Sequence, residues 1–174
     1  MKVYIVRHTS VDVPFGTCYG QTDVPLKSSF EEEARAVKSE IDGVRFDKVY
    51  TSPLSRCVKL AEYCGFADAV RDERIKEICL GDWEMKLFTE IDDPKLKDWY
   101  EDYMNTRPTN GESFMDQLKR VSAFFDELKQ HDYANVLLFA HGGVQICAEL
   151  YTGKMKEGEE FDVHPYGSVI TVEL

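Results

Sequence analysis

No apolar run in this sequence approaches the roughly 20 residues that a membrane-crossing helix needs, so a membrane-spanning protein is not expected. Its opening, Met1-Lys2-Val3-Tyr4, lacks the basic stretch and long apolar segment of a secretion signal, which makes the cytoplasm the expected compartment. Basic residues are in deficit: 21 Lys and Arg stand against 32 Asp and Glu, a formal net charge of −11. Nucleic acid, whose phosphates are held mainly by excess Lys and Arg, is therefore not an expected partner. The five cysteines (Cys18, Cys57, Cys64, Cys79 and Cys147) form no CxxC pair and no short Cys/His cluster. That excludes a disulfide frame and a zinc site, and leaves reduced, buried thiols. Repeats, low-complexity tracts and linkers are also missing. What remains is ordinary globular composition, 43% hydrophobic and 30% charged, at a length that suits one domain over residues 1–174.

Two short apolar runs end in reactive side chains. Val3-Tyr4-Ile5-Val6 leads into Arg7-His8, and Val136-Leu137-Leu138-Phe139-Ala140 leads into His141-Gly142-Gly143. Both patterns predict buried strands, and the carboxyl ends of strands are where open α/β sheets place their ligands. Between them the spacing predicts a helix over 28–41, a strand at Lys48–Thr51 and a helix from Ser52-Pro53 to Cys64, with Ser52 as N-cap. A short strand near Ala69-Val70 follows, then an extended stretch to Leu80 and a turn at Gly81-Asp82. Helices are predicted over Pro94–Met104, over Phe114–Lys129 behind a cap at Glu112 or Ser113, and over Gly143–Tyr151. A last strand covers Ser168–Glu173. Strands alternating with helices imply an α/β three-layer sandwich, with a mostly parallel central sheet flanked by helices. Thr9–Leu26, broken by Pro14, Gly16, Gly20 and Pro25, predicts a long functional loop.

Strands of one parallel sheet point their carboxyl ends the same way. Arg7-His8, the Thr51-Ser52 end that leads to Arg56, and His141 are therefore expected to share a pocket. The helix bearing Arg56 would turn its N-terminus toward that edge, a setting suited to phosphate. Gly142-Gly143 would let backbone approach a ligand closely. Because the overall charge repels anions at long range, binding one depends on this local cluster of positive groups. The remaining candidates have plainer expectations: His131 and His164 as surface or packing residues, Trp83 and Trp99 as core or pocket wall, and Glu31-Glu32-Glu33 as a solvated helix face.

Five segments occur in an informative order: Val6-Arg7-His8-Thr9, Ser52-Pro53-Leu54-Ser55-Arg56, Glu77 through Glu84, Gly111-Glu112-Ser113 and Ala140-His141-Gly142-Gly143. Together they resemble the motifs of the histidine phosphatase superfamily, in its phosphoglycerate mutase-like branch, and cover nearly the whole chain. The loop Cys18–Leu26 is further similar to that of α-ribazole phosphatases of cobalamin nucleotide-loop assembly. The resemblance implies a metal-independent phosphomonoesterase with no cofactor, acting on a small-molecule phosphate ester such as α-ribazole 5′-phosphate. It implies His8 as the nucleophile that forms a phosphohistidine, and Arg7, Arg56 and His141 as holders of the phosphate oxygens. Glu77 would give a proton to the leaving oxygen and later take one from water, with Asp82 and Glu84 left open as sharers of that task. Gly20, Gln21, Thr22 and Gly142 would add substrate contacts. Within the superfamily a phosphoglycerate mutase-type phosphotransferase and a broad-specificity phosphatase remain alternatives, and the chain's shortness favours hydrolysis. Outside it the alternative is a non-catalytic phosphoryl-binding regulatory module. No oligomeric state is implied. The chain departs from the pattern at Thr9-Ser10-Val11, where many relatives have Gly-Glu-Thr, and at Phe30 and Met85, where glycine is usual.

Overall fold

The computed structural model describes residues 1–156 and 163–174. In chain order the elements are β1 (Lys2–Arg7), α1 (Phe30–Glu40), β2 (Lys48–Thr51), α2 (Ser55–Cys64) and β3 (Val70–Arg71). Three short 3₁₀ turns precede α3 (Lys95–Glu101), α4 (Phe114–Leu128), β4 (Asn135–Ala140), α5 (Gly142–Tyr151) and β5 (Val169–Glu173). The strands form one sheet in the order β3-β2-β4-β1-β5. All neighbours are parallel except β5, which pairs antiparallel to β1.

The two apolar runs lie side by side at the centre of this sheet. Successive side chains alternate faces, so each strand feeds two cores. Val3, Ile5, Val136, Leu138 and Ala140 pack with Val121, Phe124 and Phe125 of α4 and Val144 and Cys147 of α5. On the other face, Val6, Leu137 and Phe139 pack with Ala34 and Val37 of α1 and Cys57, Leu60 and Ala61 of α2. Cover on both faces explains why these strands are continuous apolar runs instead of alternating ones. The expected three layers are present. α4 starts on a capping box in which the Ser113 hydroxyl accepts from the Asp116 N–H and Asp116 accepts from the Ser113 N–H, worth about 1 kcal/mol. Among the described residues no helix is long and apolar enough to cross a membrane.

Some boundaries differ from expectation, each for a local reason. α2 begins at Ser55, with Leu54 as its N-cap in place of Ser52. The Ser52 hydroxyl is drawn to the His141 ring, 2.8 Å away. The Ser55 N–H is taken by Asp23 Oδ1 at 2.8 Å, so at Ser55 the helix end meets one of the chain's own carboxylates and not a phosphate. α3 is shorter than Pro94–Met104 because Asp102 leaves the helical backbone and its carboxylate binds Asn105. Tyr100 is left 63% exposed.

The long loop is pinned as well. Isolated bridges join Val11 to Leu26 and Thr17 to Leu87. Glu33, expected in a solvated acidic face, reaches back to accept from the Ser10 N–H at 2.7 Å and the Ser29 hydroxyl at 2.6 Å. Met85 adopts the left-handed backbone that favours glycine, φ 66°, and its N–H bonds Cys18 O at 2.7 Å. Phe30 is a packing change, edge-on to Tyr63 with centroids 5.7 Å apart. Of the five thiols Cys79 is only half-buried, and the other four are buried as expected.

Candidate active site

β1 and β4 end level, with Arg7 opposite Ala140, so His8 and His141 leave neighbouring strands in step. Their rings meet edge to face with centroids 5.3 Å apart. His8 is 2% exposed, and His141 and Arg56 are fully buried. Arg56 enters from the first turn of α2, where Nη2 donates to Gly20 O at 2.5 Å and Nη1 to Thr22 O at 3.1 Å. Arg7 lays its guanidinium 4.0 Å from the centre of the Tyr166 ring and donates through Nη1 to the His164 carbonyl. The Nε of each arginine is buried with no hydrogen-bond partner among the described residues. Leaving a buried cationic donor unpaired is expensive; of the two arginines Arg7 lines the cavity beside His8, and Arg56 does not. Two such donors beside paired imidazoles make a cradle for a tetrahedral oxyanion.

The protonation states suit a nucleophile. His8 Nδ1 lies 2.8 Å from the Thr9 carbonyl, which can only accept, so Nδ1 carries the hydrogen and Nε2 keeps its lone pair. Burial, then the charge of Arg56 and to a lesser degree Arg7, pushes the His8 pKa down to about 3 against an opposing contribution from the Thr9 bond. His141 is also held well below its ordinary value, first by burial and then by Arg56 and His8. Both rings are neutral near pH 7.

This has a consequence for stability. In the unfolded chain an imidazole binds its proton near pH 6.5, whereas folded His8 binds it only near pH 3. Between those values the unfolded state holds the extra proton, so stability falls as pH drops from about 6.5 toward 3. Each histidine steepens that fall by up to about 1.4 kcal/mol per pH unit. Urea unfolding of His8→Ala across this window should give a slope shallower by about that amount. An unchanged slope would mean that His8 already carries its proton in the fold.

Glu77 reaches the same cavity from a segment without regular structure, held by side chains instead of a ladder. Arg120 donates to the carbonyls of Arg74 (2.8 Å), Lys76 (2.7 Å) and Glu77 (2.9 Å). It also pairs with Glu112, whose Oε2 accepts from the Cys79 N–H at 2.9 Å. The Glu77 carboxylate accepts from the Ile78 N–H and Gln117 Nε2 at Oε1 (3.0 and 2.9 Å) and from the Gly143 N–H at Oε2 (3.3 Å). A Cβ on Gly143 would stand 2.3 Å from Glu77 Oε1, and one on Gly142 would crowd Val163 and Arg7. These glycines are therefore required by close approach, and neither has a positive φ.

Glu84 has a different task. Its carboxylate accepts from the N–H groups of Gln21 (2.9 Å), Leu80 (3.0 Å) and Thr22 (2.6 Å) and from the Thr22 hydroxyl. Burial alone would raise its pKa, but the Thr22 hydroxyl and these backbone donors lower it. Asp82 accepts from the Asn110 side chain and does not line the cavity. Gly20 and Thr22 meet Arg56 through their carbonyls, and Gln21 Nε2 donates to Glu77 O at 3.0 Å. Here the loop residues brace the charged groups.

The cavity beside His8 measures about 470 Å³ and is lined on its polar side by Arg7, His8, Glu77 and Gln117. Its other wall is aromatic: Phe88 and Trp99 stack with centroids 5.9 Å apart, with Tyr103 and Phe114 nearby. Tyr19 and Tyr166 bridge over Arg56 and Arg7 through a 2.6 Å bond between their hydroxyls. Tyr166, Gln117 and Arg120 carry no motif in the sequence. A polar Gln117 interrupting an apolar helix stripe is the one signal that pointed inward.

The chain is similar to known phosphatases and to a phosphoglycerate mutase. The adenosylcobalamin/alpha-ribazole phosphatase of Escherichia coli K12 is 29% identical over 153 residues, covering 83% of this chain and 75% of that protein. Phosphoserine phosphatase 1 of Hydrogenobacter thermophilus is 27% identical over 150 residues, covering 81% and 71%. The crystal structure of a phosphoglycerate mutase from Thermus thermophilus superposes with a TM-score of 0.78 at 29% identity, covering 99% of this chain and 93% of that one. Residues 3–174 match the histidine phosphatase superfamily (branch 1), and the chain belongs to that family as a phosphatase.

Proposed function

We propose that this phosphatase is a metal-independent phosphomonoesterase that works through a phosphohistidine at His8, with α-ribazole 5′-phosphate as its substrate. The observation that carries the chemistry is a neutral His8, its Nδ1 turned to the Thr9 carbonyl, beside two guanidiniums whose Nε–H groups have no partner among the described residues. In the first step Nε2 attacks phosphorus, the ester P–O bond breaks, and its electron pair leaves on the substrate oxygen. Glu77 gives that oxygen a proton. In the second step the Glu77 carboxylate takes a proton from water as the water oxygen attacks phosphorus. The P–N bond then breaks and its pair returns to His8. Arg7 and Arg56 hold the equatorial oxygens throughout, which is the main requirement of phosphoryl transfer, while His141, expected as a third holder, keeps its Nε2 2.8 Å from the Ser52 hydroxyl and backs the His8 ring.

The choice of substrate rests on the wall. Phe88, Trp99 and Tyr103 offer flat apolar surface to an aromatic leaving group such as a benzimidazole nucleoside. Among the described lining residues Arg7 carries the only fixed positive charge, so a second anionic group, as in phosphoserine or 3-phosphoglycerate, finds no cation of its own. The names of the Escherichia coli and Salmonella relatives support the same substrate. A panel of kcat/KM values should favour α-ribazole 5′-phosphate over those two by about 100-fold or more, with no loss in EDTA. Preference for phosphoserine would replace the substrate. Rearrangement of 3-phosphoglycerate without phosphate release would make the chain a mutase. No turnover on any ester would leave a phosphoryl-binding module.

A further inference from the structure

Gln117 has no task in the chemistry above, yet it occupies an expensive position. It projects from the second turn of α4, is 1% exposed and lines the cavity with His8 and Glu77. Its Nε2 donates to Glu77 Oε1 at 2.9 Å and approaches Lys76 O at 3.5 Å. Its Oε1 is buried without a hydrogen-bond partner among the described residues. Both ends of the amide lie 2.8 Å from the place a Cβ on Gly143 would occupy, so the group packs flat against the start of α5. An apolar side chain of the same size would fill that space without stranding an acceptor, and a stranded acceptor in a native fold calls for an explanation.

The explanation lies in what Glu77 must do. A carboxyl group that serves first as acid and then as base needs partners for both forms. The Ile78 and Gly143 N–H groups are backbone donors and suit only the carboxylate. A primary amide offers a donor and an acceptor at nearly equal reach. We infer that Gln117 is a positioning residue that holds Glu77 in both protonation states, donating Nε2–H to the carboxylate and, after a half-turn of the amide, accepting the acid's O–H at Oε1. This rests on the reading of Glu77 as the acid and base of the reaction. No proton passes to Gln117, and the unused oxygen is the half of the amide kept for the other state.

Gln117→Met, with Gln117→Leu as a second variant of similar bulk, tests the inference once thermal melts show a folded chain. With an alkyl phosphate, whose leaving group needs a proton, kcat/KM should fall about 10- to 100-fold, while p-nitrophenyl phosphate should change less than about threefold. Inhibition by inorganic phosphate should not change, because Gln117 does not hold the oxyanion. Decay of the isolated phosphoenzyme should slow by a similar factor, since the base step loses the same partner. In Glu77→Gln the further change Gln117→Met should cost less than about twofold on the alkyl ester, because a partner of Glu77 has nothing left to position. Equal losses on both esters, or losses that multiply in the double variant, would reduce Gln117 to a packing residue. If Glu77→Gln itself shows no dependence on the leaving group, the assignment of Glu77 fails, and the role of Gln117 fails with it.

Discussion

His8→Ala is expected to lose turnover on every phosphate ester by on the order of 10⁴-fold or more, and to form no acid-labile phosphoenzyme. The size follows from the absence of a substitute. His141 stands next to His8, but its Nε2 is engaged by the Ser52 hydroxyl at 2.8 Å, and its ring is fully buried against the Cys57 thiol. Water could attack the bound ester directly, but without the two-step route that a nucleophile provides. The variant should fold, because truncation removes ring contacts to His141 and Tyr166 and one bond to Thr9 without stranding a charge. Rapid quenching with a labelled ester measures the phosphoenzyme directly. Label retained on the variant would move the nucleophile to another side chain.

Glu77→Gln should reduce kcat/KM for alkyl phosphates by about 10²- to 10⁴-fold and for p-nitrophenyl phosphate by less than about tenfold. The measure is kcat/KM because it reports events up to departure of the leaving group, the step in which the acid acts. An alkoxide leaves badly without a proton, whereas p-nitrophenolate leaves well without one. The amide keeps the shape of the carboxyl group and can still meet its neighbours, so the change isolates the proton. Equal losses on both esters would return the acid role to the other carboxylates of this segment. Glu84 is a poor heir, being tied by three N–H groups and a hydroxyl.

The central sheet is legible in the sequence because burial on both faces turns Val3–Val6 and Val136–Ala140 into unbroken apolar runs. Chemistry-bearing residues that follow such runs, His8 and His141 above all, are legible for the same reason. The segment 66–113 is harder to read. Its strand is two residues long, its turns are 3₁₀, and its shape depends on bonds from Arg120 and Glu112 to distant backbone. No periodicity marks such bonds. Ser52 shows how one side chain can be misread: it has the form of a helix cap, but the helix starts three residues later, and its hydroxyl accepts from the Leu54 N–H at 3.4 Å while meeting a buried imidazole 89 positions away. Tyr166 was invisible because a cation over a ring leaves no trace in local sequence.

The interval between the two imidazoles is ruled by inter-strand bonding at the middle of the sheet, where β1 and β4 run in register from Lys2 and Asn135 to Arg7 and Ala140. The cavity's aromatic wall, by contrast, hangs on irregular stretches and the short α3. In the proposed chemistry the placing of the nucleophile and most of the aromatic wall are thus carried by separate parts of the chain. Transplanting residues 86–106 from a relative with a different preference should retune selectivity while leaving the geometry of attack untouched.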